Sequence, residues 1–401
     1  MLPVGTELQT HLECIAQEQM EPCFVYDLDA LRQHLDKLMA QDVVKLWYAV
    51  KANPLSRIIR TLAEAGFQFD VASSGELHQV LAQQINPEQV LNTGPAKSKR
   101  QIDEFIALGV RTFVAESLNQ VRWLNQAAQT HKVQLKLLLR VQLRWPKGEK
   151  NPLGGDTLTP FGLDPQQWHG LYLADYPALT CIGVHIFQWG NMLSADKLLH
   201  LWQQMLPPLQ ALSEQLGFAM QVLDLGGGLG VPYDDESEPL AWQDVLTALE
   251  QIKRESGVQE LWMELGRYAV AECGYYLNPV VEQKENYGEQ QLIVSGGINH
   301  ILRPAVAGQA FPCALLRTST APTRAFNIHG PLCTALDSLG THMLPEDINE
   351  QDWLVFFQAG AYGFTESMPF FLCHPLAAEY VIADGNLHLL RESAAPSSYL
   401  R

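Results

Sequence analysis

The feature that most constrains the fold of this chain is an alternation between residues 45 and 267. Short apolar segments rich in β-branched and aromatic residues alternate there with segments whose apolar residues recur at helical spacing. One such helical segment carries Trp242, Leu246 and Leu249, and it suits a helix on the outside of a barrel. Eight repeats predict an α/β fold, a closed (βα)8 TIM-type barrel. The predicted strands are 46–50, 69–72, 89–92, 112–115, 136–141, 183–187, 222–225 and 261–265.

The pattern changes after Arg267, where β-prone segments follow one another with few helices and are separated by Gly and Pro turns. This change predicts a second, β-rich domain. The early strand PCFVYDLDAL (22–31) precedes the barrel and can pair with that domain. We therefore predict a barrel over 28–270 and a discontinuous β-rich domain formed by 1–27 and 271–401, which suits a chain of 401 residues.

The charge of the chain argues against two classes of partner. Lysine and arginine number 27 and aspartate and glutamate 44, which gives a net charge of −17. Such a surface repels phosphate backbones and anionic lipids, so we predict no nucleic-acid and no membrane partner. The N-terminal region lacks a secretion signal and no apolar run reaches membrane-spanning length, so we expect a cytoplasmic protein. The seven cysteines form no CxxC pair and are expected to be reduced.

Polar residues follow the predicted strands at their C-terminal ends, the rim on which barrel enzymes carry their chemistry. Taken singly, each of them could be a loop residue that satisfies a strand end. Their coincidence on one rim favours an active site. The rim set is Lys51, Ser73, Asn92, Glu116, Arg140, His185, Gly226, Gly227, Gly228, Glu264 and Arg267.

Three members of this rim point to a particular chemistry. Lys51 directly follows an apolar strand, where a partly desolvated amine can form an imine. The three glycines from Gly226 give backbone amides close access to a phosphate. Glu264 can pair with a ring nitrogen and Arg267 can hold an anion. Each signal is weak alone, and together they indicate a phosphate-bearing aromatic cofactor.

As a set, these motifs resemble the fold-type III decarboxylases that depend on pyridoxal 5'-phosphate (PLP). The family includes diaminopimelate, ornithine and arginine decarboxylases, with alanine racemase as a distant relative. YAVKANP resembles the family's lysine motif, which implies that Lys51 binds PLP covalently. FDVASSGEL contains Asp70 and Ser73 and resembles the next strand, while His185 in GVHIF matches the imidazole that stacks on the pyridine ring. The resemblance covers nearly the whole chain and implies the alanine racemase-like fold.

Further motifs add to the site that the resemblance implies. LGGGLGVPY resembles the phosphate loop, and ELGRY resembles the EPGR motif with Leu265 in place of proline. HGPLCTALD resembles the segment that carries a catalytic cysteine, here Cys333, into the neighbouring subunit's site. FFQAGAYGF places Tyr362 near the cofactor phosphate. The implied catalytic residues are Lys51, His185, Glu264 and Cys333, and the implied cofactor-binding residues are Lys51, Asp70, Ser73, Arg140, His185, Gly226, Gly227, Gly228, Glu264, Gly266, Arg267 and Tyr362.

Glu264 decides which reaction the resemblance implies. A carboxylate beside the ring nitrogen keeps that nitrogen protonated, so the ring accepts the electrons left when carbon dioxide departs, whereas the racemase branch has an arginine there. We therefore expect decarboxylation. Cys333 of the partner subunit is the expected proton donor to Cα, which requires a homodimer with shared active sites. The alternative for Cys333, without its surrounding motif, is an inert buried thiol.

The chain departs from its relatives where substrates and phosphate are bound. Thr334 stands where diaminopimelate decarboxylases have glutamate and ornithine decarboxylases have aspartate, so a distal ammonium would lack its charge partner. Ala307 replaces a substrate-contacting tyrosine, and Gln188 in HIFQWGN replaces the serine of the usual HxGS. Arginine is retained at Arg303. The substrate-binding residues implied are Arg267, Arg303, Thr334 and Asp337.

These departures resemble the subgroup that decarboxylates modified amino acids in siderophore and antibiotic pathways. The retained arginines favour a substrate with several carboxylates, so citryl-serine or citryl-diaminopropionate ranks first. The alternatives are diaminopimelate or another basic amino acid, a glutamyl group on a carrier protein, amino-acid racemisation, and a catalytically dead regulatory homologue.

Overall fold

The computed structural model describes residues 4–145, 158–234 and 236–400. The strands are β1 (Cys23–Asp27), β2 (Lys45–Ala49), β3 (Gln68–Val71), β4 (Val90–Asn92), β5 (Thr112–Ala115), β6 (Leu135–Arg140), β7 (Leu179–His185), β8 (Val222–Asp224), β9 (Glu260–Leu265), β10 (Gly274–Asn286), β11 (Glu289–Val294), β12 (Cys313–Leu315), β13 (Thr323–His329), β14 (Ser338–Pro345), β15 (Trp353–Phe356), β16 (Ala378–Ala383) and β17 (Asn386–Arg391). The α-helices are α1 (Thr6–Glu18), α2 (Leu28–Met39), α3 (Ser56–Glu64), α4 (Ser74–Leu81), α5 (Lys99–Ala107), α6 (Leu118–His131), α7 (Pro165–Trp168), α8 (Ala195–Leu216), α9 (Trp242–Ser256), α10 (Arg267–Val270) and α11 (Arg303–Ala307).

The strands from β2 to β9 form a closed parallel barrel in chain order, with β9 beside β2. Each predicted barrel strand is present, so the predicted α/β fold class is confirmed. Serines begin several of the intervening helices, because the hydroxyl at the N-cap accepts the backbone amide three residues on. These caps are Ser73, Ser98, Ser117 and Ser194.

An apolar layer fills part of the barrel interior. Seven strands each contribute one buried side chain to it: Trp47, Leu91, Val114, Leu138, Ile182, Val222 and Trp262. The Trp47 and Trp262 rings lie 4.8 Å apart, and the ammonium of Lys45 lies over both of them. This apolar layer separates Lys45, at the N-terminal end of β2, from the polar side chains at the C-terminal strand ends.

The remaining strands form one sheet. Its main path runs β14-β13-β11-β10-β1-β16-β17, with β15 pairing β10 and β12. The early strand β1 is antiparallel to β10 and parallel to β16, as its position before the barrel led us to expect. Among its buried residues are Val25, Leu277 and Val355, which belong to one apolar cluster.

The chain divides into two compact units, and their bounds differ from the predicted 28–270. The barrel unit comprises 34–231 and 238–269, and the β-rich unit comprises 1–33, 232–237 and 270–401. Residues up to Gln33 join the β-rich unit because the carboxylate of Asp29 accepts the backbone amides of Asp384 and Gly385. Tyr233 packs edge-on against Phe311, which accounts for 232–237. In the part of the chain that the structure describes, no helix combines the length and apolarity needed to cross a bilayer.

Candidate active site

Lys51 follows β2 in a single 3-10 turn, Val50–Ala52, and its side chain is exposed at the strand end. Its ammonium lies 5.6 Å from the centre of the Phe187 ring. Burial and the charge of Glu264 raise the pKa of Asp70 to about 7, against the opposing charge of Lys51. Lys51 is therefore electrostatically coupled to two buried carboxyl groups on neighbouring strand ends.

His185 and Glu264 form a buried pair at the ends of β7 and β9, with Nε2 and Oε1 3.2 Å apart. Burial raises the pKa of Glu264, and the charges of Lys51 and Arg140 counteract part of that shift. Burial, assisted by the charge of Arg140, holds the pKa of His185 well below its usual value. The imidazole is therefore neutral at physiological pH, as a ring that stacks against an aromatic cofactor should be.

Asp224, at the end of β8, completes this cluster although the sequence analysis did not select it. One carboxylate oxygen accepts the backbone amide of Gly226 at 2.9 Å, and burial followed by the charge of Glu264 raises the pKa of Asp224 well above its usual value. His185, Asp224 and Glu264 each offer one atom that could ligate a metal ion, and these three atoms all lie within 4.8 Å of one another. That spacing would suit a metal ion or a protonated ring nitrogen.

A second buried charge network lies at the ends of β5 and β6. Arg140 donates to Glu116 at 2.9 Å, and its guanidinium lies over the Phe161 ring. Lys97 is buried in the loop after β4 and donates to the carbonyl of Gly94. Burial lowers the pKa of Lys97 to about 7, against the charge of Glu116. Lys97 was not predicted as a site residue, because it stands in a polar loop, where a lysine normally reaches solvent.

The glycine run after β8 is required by close packing. Gly226 and Gly228 have positive φ angles of +61° and +108°. A Cβ on Gly226 would lie 2.5 Å from the Cβ of Phe187, and one on Gly227 would lie 2.4 Å from the carbonyl oxygen of Glu264. Only glycine fits this path. The amide of Gly226 is taken by Asp224, so the amides of Gly227 and Gly228 are the ones that can approach a bound phosphate.

Other predicted cofactor residues lie on the same rim with defined partners. Thr93 donates to Asp70 at 2.6 Å. Ser73 accepts the amide of Glu76 as the N-cap of α4, so its own hydroxyl proton can still be donated. The carbonyl of Gly266 accepts the amide of Ala269. Arg267 begins α10 and donates to the side-chain oxygen of Asn191 at 3.3 Å.

The family is decided by its sequence profile. The profile described as "Pyridoxal-dependent decarboxylase, pyridoxal binding domain" matches residues 28–271, more than half of the chain. The chain belongs to this decarboxylase family. It is therefore a PLP-dependent amino-acid decarboxylase, as its motifs led us to expect.

Curated relatives of this decarboxylase share about a quarter of its residues. Diaminopimelate decarboxylase of Aquifex aeolicus is 26% identical over 95% of this chain and 91% of its own length. The 2-[(L-alanin-3-ylcarbamoyl)methyl]-2-hydroxybutanedioate decarboxylase of Staphylococcus aureus is 26% identical over 88% of this chain and 92% of its own length. Among solved structures, diaminopimelate decarboxylase of Helicobacter pylori superposes with a TM-score of 0.86 at 22% identity, covering 96% of this chain and 98% of that one.

The decarboxylase fits PLP on two observations. Asp224 Oδ2 is a buried atom without a hydrogen-bond partner among the described residues, and it lies close to the Glu264 carboxylate; such a pair of carboxyl groups suits a pyridinium N–H better than apolar packing. Gly227 and Gly228 pack too closely on Glu264 and Trp189 for any Cβ, so at these two positions the bare backbone amides are the groups that can approach a phosphate. The ring nitrogen and the phosphate of PLP thus each have a matching group.

The predicted residues outside the barrel belong to the β-rich unit. Arg303 forms a forked ion pair with Glu366, with both contacts at 2.9 Å, and its guanidinium lies 4.3 Å from the centre of the Tyr362 ring. Tyr362 has a positive φ of 54°. Cys333 is exposed, unlike the buried thiol of the alternative, and its catalytic role stays a prediction.

Asp337 is buried, and its two oxygens accept the backbone amides of Ile298 and Leu332 at 2.7 Å each. Thr334 accepts the amide of Leu336 through its hydroxyl. These bonds shape the turn that carries Cys333. They assign a structural role to Asp337, and its predicted contact with substrate stays a prediction.

Proposed function

We propose that this decarboxylase removes the α-carboxylate of an amino-acid conjugate whose distal part carries carboxylates, with citryl-serine and citryl-diaminopropionate as the first candidates. The observation that carries this proposal is Thr334, which replaces the acidic residue that free diamino acids need. A desolvated ammonium without a partner costs a few kcal/mol, so free diamino acids would be disfavoured. Ala307 is exposed at the end of α11 and leaves room for a bulkier tail.

The Staphylococcus aureus relative supports a substrate of this class. Its printed name describes a hydroxybutanedioate joined through a carbamoylmethyl group to alanine, which is a polycarboxylate conjugate of an amino acid. Its sequence identity to this chain equals that of the diaminopimelate decarboxylase of Aquifex aeolicus. The family scaffold therefore accepts such substrates at this level of divergence.

The barrel residues suggest how the reaction is supported. PLP, once bound, supplies a pyridinium ring that accepts the electron pair of the broken bond. Lys51 would hold the cofactor covalently, and the His185 imidazole would lie against its ring. Glu264, with Asp224 behind it, would hold a proton at the ring nitrogen, because the two carboxyl groups cannot both be ionised easily at this separation. Cys333 of the partner subunit would deliver the proton to Cα.

A second candidate is decarboxylation of diaminopimelate. It is favoured by the Glu366 carboxylate, which is 39% exposed beside Arg303 and offers an anion that the sequence analysis had not considered. Glu366 also means that the guanidinium fork of Arg303 already has a partner. A substrate carboxylate must therefore displace Glu366 or use Arg267 instead.

The test is a comparison of kcat/KM for carbon dioxide release from citryl-serine, citryl-diaminopropionate, diaminopimelate, lysine and ornithine. Lys51→Ala serves as the control for carbon dioxide release that does not depend on the cofactor lysine. We expect both citryl conjugates to exceed the free diamino acids by roughly a hundredfold or more, because about 3 kcal/mol for one unpaired buried charge corresponds to a factor of that size. Efficient turnover of diaminopimelate, with neither citryl conjugate accepted, would refute the proposed substrate and leave the decarboxylase assignment standing.

A further inference from the structure

Gln188 stands where the resembling motif HxGS has a serine, three residues after His185. Its side chain is fully buried, with no accessible surface. The oxygen Oε1 accepts the backbone amide of Leu143 at 2.9 Å, and Nε2 donates to the carbonyl of the same residue at 2.8 Å. A serine hydroxyl stops one atom beyond Cβ and cannot form this pair of bonds. Where the motif has a short hydroxyl, this chain therefore has a side chain that forms two hydrogen bonds to the backbone of Leu143. We call this pair of bonds the clamp.

The clamped segment, residues 141–145, continues the course of β6 beyond its last ladder pair, Arg140 with His185. Alternate residues of this segment face the loop of residues 185–189. Val141 donates its amide to the carbonyl of His185, Leu143 pairs with Gln188, and the Trp145 ring packs edge-on against Trp189 at 5.5 Å. These contacts recur at every second residue, as they do along an extended strand, so the 141–145 segment contacts the 185–189 loop along its whole length.

The 185–189 loop also supports the glycine run. A Cβ on Gly226 would collide with Phe187, and one on Gly228 would lie 2.9 Å from the carbonyl oxygen of Trp189. Both glycines are thus packed directly on the loop that Gln188 clamps. A shift of the loop by a few tenths of an ångström would shift the amides of the glycine run with it, because close-packed interiors transmit displacement.

We propose that Gln188 is a positioning residue for the PLP phosphate: it clamps the 185–189 loop to the 141–145 segment and thereby holds the glycine run in its phosphate-binding conformation. The serine of the related motif would act on the phosphate itself, whereas Gln188 acts through the backbone of Leu143. This role concerns the PLP site common to the family and is independent of the substrate.

The test uses Gln188→Ser, which restores the related motif, and Gln188→Ala, with Gln126→Ser and Gln126→Ala on the exposed face of α6 as matched controls. Three quantities are measured for each: the free energy of urea unfolding of the apoenzyme, the Kd for PLP, and the Kd for pyridoxal, which lacks the phosphate. Loss of the clamp leaves the buried amide and carbonyl of Leu143 unpaired. We expect both Gln188 variants to lower apoenzyme stability and to weaken PLP binding on the order of tenfold.

Two results would overturn the proposal. One is a Gln188→Ser protein that binds PLP as tightly as the wild type with unchanged apoenzyme stability. The other is a loss confined to PLP, with pyridoxal binding and apoenzyme stability intact in Gln188→Ala, because that pattern means direct contact with phosphate. If the short variants do not fold while both Gln126 controls do, Gln188→Met decides. Methionine is close to glutamine in size but can neither accept the Leu143 amide nor donate to its carbonyl in a comparable hydrogen bond, so stability and PLP affinity equal to the wild type would refute the clamp.

Discussion

At the scale of the residue, Glu366 determines what charge the Arg303 side chain can offer. Its carboxylate faces the guanidinium in a bidentate pair, which is the strongest geometry for this interaction, yet it is partly exposed and therefore screened. A residue 63 positions away thus modifies the arginine on which the substrate argument depends.

Replacing this carboxylate separates the two candidate substrates. In Glu366→Gln the shape of the side chain is kept, but Arg303 loses its ionic partner and becomes available to a substrate carboxylate. We expect KM for a citryl conjugate to fall roughly threefold, the worth of one partly exposed ion pair. Steady-state kinetics give the answer, with Asp347→Asn, which removes a carboxylate paired with Arg317, as the control. A rise in KM for the citryl conjugate would instead favour a substrate ammonium held by Glu366.

At the scale of the element, His300 joins strand β10 to the backbone just before β16. Its Nε2 lies 2.9 Å from the carbonyl of Pro375 and must carry the proton, so Nδ1 accepts the hydroxyl proton of Tyr276 at 2.9 Å. Both ring nitrogens are thus used by the neutral form. Burial, against the hydrogen bond to Pro375 and with a small contribution from the charge of His374, lowers the pKa of His300 from 6.5 to about 4.

This depressed pKa predicts acid destabilisation. Between about pH 6.5 and pH 4 the unfolded chain binds a proton that the folded histidine does not, so His300 lowers the free energy of unfolding as pH falls through that window. We expect a loss of about 2 kcal/mol between pH 7 and pH 5 from this residue. Urea unfolding at the two pH values measures it. His300→Gln should be less stable at pH 7 but lose less stability on acidification, and an equal loss in both proteins would contradict the assignment.

At the scale of the whole molecule, the proposed mechanism needs two chains. Lys51 belongs to the barrel unit and Cys333 to the β-rich unit, and the resemblance implies that Cys333 acts in the neighbouring subunit's site. The exposure of the Cys333 thiol is consistent with that role. A homodimer with shared sites is accordingly part of the proposal.

Subunit mixing tests this arrangement. Inactive Lys51→Ala and inactive Cys333→Ala chains are mixed in equal amounts under conditions that exchange subunits. Each heterodimer then holds one site with both changes and one with neither, so about a quarter of the wild-type activity should return. Each variant incubated alone is the control. Heterodimers confirmed by differential tagging that stay inactive would show that Cys333 acts within its own chain, or that the site is not shared.

How much of this could be predicted from the sequence depends on whether the signal is local. The barrel strands were predictable because apolar runs and helical periodicity are visible within about a dozen residues of sequence. The site was predictable because the C-terminal ends of parallel barrel strands must lie on one rim. Lys51, His185, Glu264 and the glycines followed from that rule alone. The family motifs then supplied the cofactor and the reaction type.

Only the tertiary structure decided which partners these groups have. Lys97 looks like a solvated loop lysine until the loop is folded over it, and Asp224 looks like a strand residue until it faces Glu264. The hydrogen bonds of Gln188 with Leu143 and the ion pair of Arg303 with Glu366 join residues 45 and 63 positions apart. Tyr233 likewise contacts Phe311 within the β-rich unit, although its segment interrupts the barrel unit in sequence. The physical reason is that burial and hydrogen-bond pairing depend on what packing brings within about 3 Å, which local periodicity does not encode.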